Sequence, residues 1–358
     1  MFNNFFGNRA ATEALESTIR AGRIPQTLLV DGPQGVGKAT LARRFATALM
    51  GGAAKIERDD LSLPDNRAIT EERDKLTSDK RADDPLFFAS HPDFLTFPPD
   101  GPLRQISIQQ MRLLKDRAQF KPLSGQWRVF LIDRLDRANE QAANSLLKTL
   151  EEPPPHLILF ATAENPYDLL PTIRSRAVPI HLSPLSRSEM LDFAKSRGLP
   201  EAERRIALAS GSPGLAASFD LAAYEHRREA MLTLLEAAAG RAPFAAWARH
   251  SESIAARKTE KLDYYLDVLY LLLEDLLLAE ARPADTRNPD VADRLRTLGR
   301  AVSFGWIRAA TGKTDELTEL LRRNIQKSIA LDAMVLELRA LAGTRKTADG
   351  ELAAPAAV

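Results

Sequence analysis

At 358 residues, with 44% hydrophobic and 27% charged residues, the chain has material for two or three folded domains rather than one core. A formal net charge of +1 excludes a general polyanion binder, so nucleic-acid contact would need a local basic patch or partner proteins. The absence of cysteine excludes disulfides, thiol catalysis and cysteine-based zinc sites together.

From the N-terminus, MFNNFFGNRA lacks a basic start followed by an apolar core, so a signal peptide is not expected and the cytoplasm is the default location. Residues 1–183 alternate strand and helix patterns. Strands are predicted at 27–30, 94–97, 127–132, 156–161 and 178–182, with helices such as 38–50 and 107–120 between them. Ser107 and Gln110 form a capping box at the head of the second helix. Short apolar strands separated by helices imply an α/β domain with a parallel five-stranded sheet covered on both faces. Residues 51–84 are rich in charge and poor in large apolar side chains, and read as an exposed insertion.

After Pro184 the strand signals stop. Helices are predicted at 186–197, 200–210 and 213–239, and residues 240–243 (GRAP) mark a boundary. From 244 to about 342 the pattern is wholly helical, with leucine stripes at 262–278 and 317–341. The 262–281 stretch carries Asp263, Asp267, Glu274 and Asp275, which excludes a membrane span. Trp247 and Trp306 read as core residues. Arg322, Arg323 and Lys327 form a basic cluster at helical spacing, either a solvated face or a DNA contact. Residues 344–358 are small and polar, the composition of a disordered tail.

The motif that carries chemistry is DGPQGVGKAT at residues 31–40, placed between a strand and a helix as a P-loop requires. Gly32, Gly35 and Gly37 let successive backbone N–H groups face one point. The helix N-terminus and Lys38 add positive charge, making a cradle for the phosphates of ATP or ADP. The residue after the lysine is Ala39, where a Ser or Thr hydroxyl would hold Mg²⁺. Thr40 is a poor substitute, because one step along a helix turns a side chain by about 100°. Metal positioning is therefore in doubt. A second carboxylate, Asp133, ends the strand WRVFLID, either in the Walker B role or as the cap of the next helix. Arg134 follows it, where a hydrolysing site needs a Glu to orient water. His91 and His181 read as structural or surface residues, and no metal site is expected.

NSLLKTLEEPPPHLILFATAENPYDLLPTIRSRA, residues 144–177, closely resembles the AAA+ clamp-loader proteins of bacterial DNA replication. The 22–46 segment, HPDF at 91–94 and GSPG at 211–214 narrow the resemblance to the delta-prime class of DNA polymerase III subunits. The resemblance implies an AAA+ domain (1–183), a helical lid (184–243) and a helical collar (244–343). The collar joins a hetero-pentameric ring that uses ATP to place a sliding clamp on primer-template DNA, within a nucleotidyltransferase holoenzyme. It implies that Arg176 reaches a neighbouring subunit's ATP site as an arginine finger, the alternative being a local ion pair. Thr162 falls in the sensor 1 position. Three departures stand out: Ala177 replaces the usual cysteine, GSPG lacks the lid arginine of motor subunits, and residues 51–84 replace a four-cysteine zinc module, so no zinc is expected. The residues favour a subunit that does not turn over ATP itself. The alternatives are a motor subunit of the same loader and, more distantly, a P-loop phosphotransferase.

Overall fold

Side chains alternate across a strand, so a strand apolar throughout feeds two cores at once. Leu28, Val30, Val129, Leu131, Ile158 and Phe160 pack on one face of a central sheet. Leu29, Phe130, Ile132, Leu157, Leu159 and Ala161 pack on the other. A computed structural model describes residues 1–2, 4–256, 262–320 and 326–343. Its strands are β1 (Thr27–Asp31), β2 (Phe88–His91), β3 (Phe94–Phe97), β4 (Arg128–Ile132), β5 (Leu157–Ala163) and β6 (Val178–His181). Their order in the sheet is β2-β3-β4-β5-β1-β6.

The five predicted strands are all present and mutually parallel where they pair. The sheet nevertheless has six strands, because β2 adds to the edge antiparallel to β3. Phe88-Ala89-Ser90-His91 offers neither an apolar run nor an alternation, and Ala89 and Ser90 are exposed. Its place depends on backbone pairing with the buried β3.

The helices Arg9–Arg20 and Lys38–Met50 contribute to the first core, and Ile108–Ala118 and Glu140–Glu151 to the second. The Ser107–Gln110 capping box is formed. Residues 51–84 are mostly exposed, as expected, but they are not an irregular insertion. They fold into short helices, including Pro64–Arg73 and Ser78–Asp83, and bury Ile56, Asp59, Asn66 and Arg73. Arg73 donates to both carboxylate oxygens of Asp100, at 2.8 and 2.7 Å. Ion pairing, rather than apolar area, holds much of the segment down.

Two compact units divide the chain, Met1–Phe219 and Asp220–Val358. The helix predicted over 213–239 is two, Pro213–Ser218 and Leu221–Ala238. Asp220 caps the second, its side chain accepting from the Ala223 amide at 3.0 Å. Within the second unit, helices Phe244–Ala256, Asp263–Ala281, Ala292–Ala301, Phe304–Leu320 and Lys327–Gly343 follow. Residues 282–291 interrupt the helical pattern, since Pro283 and Pro289 each open a short 3₁₀ turn instead. Asp275, fully buried, accepts from the amides of Arg287 (2.7 Å) and Asn288 (2.9 Å) and from Asn288 Nδ2 (2.8 Å). That explains one carboxylate in an otherwise apolar helix. Trp247 and Trp306 are buried, with ring N–H groups donating to Asp332 and to the Leu338 carbonyl. Arg322, Arg323 and residues 344–358 lie outside the described residues. No helix among those described is long and apolar enough to cross a membrane.

Candidate nucleotide-binding site

Parallel pairing brings the strand ends to one edge. Val30 and Asp31 of β1 lie opposite Thr162 and Ala163 of β5, and Ile132 of β4 lies opposite Ala161. The loop after β1, Asp133 after β4, and Thr162 and Glu164 at and just past the end of β5 therefore form one row. Gly32, Gly35 and Gly37 all have positive φ, at 139°, 74° and 110°. At Gly32 a Cβ would stand 2.2 Å from the Leu182 carbonyl oxygen, so a side chain is excluded sterically as well. Gly37 caps the Lys38–Met50 helix and hands the chain into it.

The loop lies in a cavity of about 630 Å³, lined in part by Gly35, Gly37, Lys38, Ala39, Thr40 and Asp133. Lys38 Nζ donates to the carbonyls of Gly32 (2.6 Å) and Pro33 (2.8 Å). Burial pulls its pKa down from the ordinary lysine value, with Glu164 and Asp133 opposing. A nucleotide phosphate would give that ammonium the counter-charge that two carbonyls do not.

Behind the loop, the Thr162 hydroxyl donates to Asp133 Oδ1 at 2.6 Å and accepts from the Arg134 amide at 2.8 Å. Arg134 has φ 60°, and its guanidinium is held by Asp136 and Glu164. Burial opposes its charge, but the hydrogen bond to Asp136 and the surrounding carboxylates outweigh this and push its pKa up. Glu164 also lines the cavity, a carboxylate that motif reading passed over because its partner stands 30 residues away. It is paired with Arg134.

The residues present thus fit a nucleoside phosphate. They fit a hydrolytic metal site poorly, with a methyl at Ala39, one Asp133 oxygen engaged by Thr162, and a cation next door. Sequence reasoning also missed the apolar end of the cavity, where Phe5, Phe6, Phe193, Leu199 and Pro213 meet. The Phe6 and Phe193 rings cross edge to face at 5.5 Å, and Arg197 lies over Phe193. Flat apolar walls beside a phosphate cradle suit a nucleotide base. No local motif announces them, because they come from the N-terminus, the Arg187–Arg197 helix and the loop after it, and the Pro213–Ser218 helix.

Arg176 is not among the residues lining this cavity. It is exposed, donating to Glu151 Oε1 at 2.7 Å and to the Thr172 carbonyl at 2.9 Å. His91 is structural, accepting from the Asp93 amide at 3.1 Å, and His181 pairs with Asp31. Among the described residues no cluster of His, Asp and Glu could hold a metal ion.

Residues 7–186, half of the chain, match the family described as "DNA polymerase III, delta subunit". The chain belongs to that family. The DNA polymerase III delta-subunit match covers the whole sheet and the glycine loop after β1. Curated relatives include DNA polymerase III subunit gamma of Buchnera aphidicola, 29% identical over 54% of this chain and 48% of the relative. The gamma/tau subunit of Mycobacterium tuberculosis is 33% identical over 51% and 29%. The tau subunit of Escherichia coli K12 is 29% identical over 51% and 26%. The chain thus spans about half or less of the length of these relatives. Among solved structures, a gamma subunit-related protein of Thermotoga maritima is similar at 17% identity and a TM-score of 0.40, covering 92% of this chain and 99% of that one. The Bacillus subtilis DNA clamp loader delta protein is similar at 11% identity and a TM-score of 0.29, with the same coverages. Both overlaps are loose.

Proposed function

We propose that this chain is a delta-prime-like subunit of the DNA polymerase III clamp loader, which binds ATP or ADP at its P-loop without hydrolysing it. The carrying observation is Arg134: a cation clamped by Asp136 and Glu164 stands beside Asp133, where water activation needs an acceptor. Ala39 removes the metal-binding hydroxyl from the same pocket, while the rest of the cradle is intact. In this reading the pocket serves binding, and Lys38, Thr40 and the loop amides hold the phosphates.

Arg176 is the residue that acts elsewhere. Its guanidinium is exposed, stays charged and lies outside the chain's own cavity, so it suits delivery in trans to the γ-phosphate of an adjoining subunit. The Glu151 pair then holds it until that partner docks. The division into an AAA+ domain (1–183), a lid (184–243) and a collar (244–343) is part of the same proposal, as are a hetero-pentameric ring, a sliding clamp and primer-template DNA as its partners. The final helix supports a collar role. Leu331, Met334, Val335 and Leu338 are buried, while Ile329, Ala333, Leu336 and Ala340 form a second, exposed apolar stripe.

Similarity to gamma and tau subunits favours a second reading, an ATP-hydrolysing subunit of the same loader. Turnover by the purified chain separates the two. The proposal expects none above background, with Arg176→Ala lowering DNA-stimulated turnover of a reconstituted loader whose assembly is intact. Motor-level turnover by the chain alone would refute it.

A further inference from the structure

Asp60, Ser62 and Leu63 belong to the 51–84 segment, yet they line the same cavity as Lys38, Thr40 and Asp133. Their position is built, not incidental. Arg43, on the helix that leaves the P-loop, is 2% exposed and donates from Nη2 to Asp60 Oδ2 at 2.6 Å and from Nε to Glu57 Oε2 at 3.1 Å. The same Nη2 lies 3.4 Å from the Thr40 hydroxyl, which puts Asp60 one guanidinium away from the cradle. Asn66 Nδ2 donates to the carbonyls of Arg58 (2.7 Å) and Asp60 (2.8 Å) and fixes the turn. On its far side the segment is tied to β2, where the fully buried Asp59 accepts from the Ser90 amide at 3.0 Å.

A carboxylate in a phosphate-binding cavity needs a reason. Facing the phosphates it would repel them, and the Arg43 pair offsets that charge only in part. Facing a sugar, its oxygens are acceptors for hydroxyl groups, and each keeps a lone pair beyond those used by Arg43 and the Ser62 amide. We propose that Asp60, Ser62 and Leu63 wall the nucleotide pocket and that Asp60 accepts a hydrogen bond from the ribose, making the bound ligand a ribonucleotide. This rests on the P-loop being a nucleotide site.

The test measures binding of ADP and 2′,3′-dideoxy-ADP to the full chain by calorimetry, together with limited proteolysis of residues 51–84. We expect ADP to bind roughly tenfold more tightly than the dideoxy analogue, as a hydrogen bond to a charged group implies. Asp60→Ala should abolish the difference, and ADP should slow cleavage within 51–84 in the wild-type chain. The proteolysis arm needs no variant, so it decides the matter even if Asp60→Ala does not fold. Equal affinity for the two nucleotides, or cleavage indifferent to ADP, overturns the inference and leaves the nucleotide-site reading standing. No binding of either nucleotide overturns both.

Discussion

Gly214 donates its amide hydrogen to the Gly35 carbonyl at 2.8 Å, joining the GSPG turn to the P-loop backbone to backbone. A Cβ at Gly214 would stand 2.9 Å from that oxygen and 3.2 Å from Gly35 Cα, so two glycines permit the approach. Gly214→Ala should therefore push the turn off the loop, costing about 1–3 kcal/mol as overpacking does and weakening ADP binding. Gly312 is the control: it sits exposed on the Phe304–Leu320 helix with open space at its Cβ position. Gly312→Ala should be stabilising by up to ~1 kcal/mol through helix propensity. Thermal melts of the two variants check both, and an unchanged Gly214→Ala melt would dismiss the contact.

The Arg176 side chain is 34% exposed and that of Glu151 50%, and a solvent-screened pair of this kind contributes less than about 1 kcal/mol. Glu151→Gln should leave the melting temperature unchanged and keep reconstituted turnover within about twofold of wild type. Arg176→Lys keeps the charge but loses the planar fork, and should lower turnover nearly as far as Arg176→Ala. Should lysine restore full turnover, charge alone would be at work and the finger geometry would be wrong.

Arg134 neutralises Asp136, whose side chain is 5% exposed, and Glu164 at the pocket wall. Arg134→Met leaves both carboxylates without their cation beside Asp133. The expected cost is on the order of 3 kcal/mol, the usual penalty for breaking a mostly buried pair. Ala39→Ser adds only a hydroxyl beside Lys38 and should be nearly neutral for stability. It should not create turnover, because Arg134 is still in place. Denaturant titration and a phosphate-release assay read the two outcomes.

Leu336 is 56% exposed on the final helix, aligned with Ile329, Ala333 and Ala340 at helical spacing. Leu336→Glu should change the stability of the isolated chain by less than about 0.5 kcal/mol, as surface substitutions do, yet prevent its incorporation into a reconstituted loader. Size-exclusion chromatography of the mixture checks this, and normal co-elution would show that the stripe is not an assembly surface.

Much of the architecture was legible because it rests on short-range periodicity. Five strands and the Lys38–Met50 helix came from runs of apolar residues, and the Ser107–Gln110 box from a four-residue rule. The glycine loop was legible for a different reason: Gly32, Gly35 and Gly37 meet local backbone demands that hold wherever the strand and helix go. Strand β2 and the break at Asp220 were not legible. The first depends on a pairing partner, and the second on a cap inside an otherwise continuous helical pattern.

By itself, then, the order of residues determined a glycine-rich turn between a buried strand and a helix, with Ala39 after its lysine and Arg134 after Asp133. Folding decided what surrounds that turn. Phe193, Asp60 and Glu164 reach one cavity from distant parts of the first unit, Arg43 finds Glu57 and Asp60 across 14 and 17 residues, and Arg134 finds Glu164 across 30. Charge pairing and cavity walls are set by distance in space, and separation along the chain carries no trace of it.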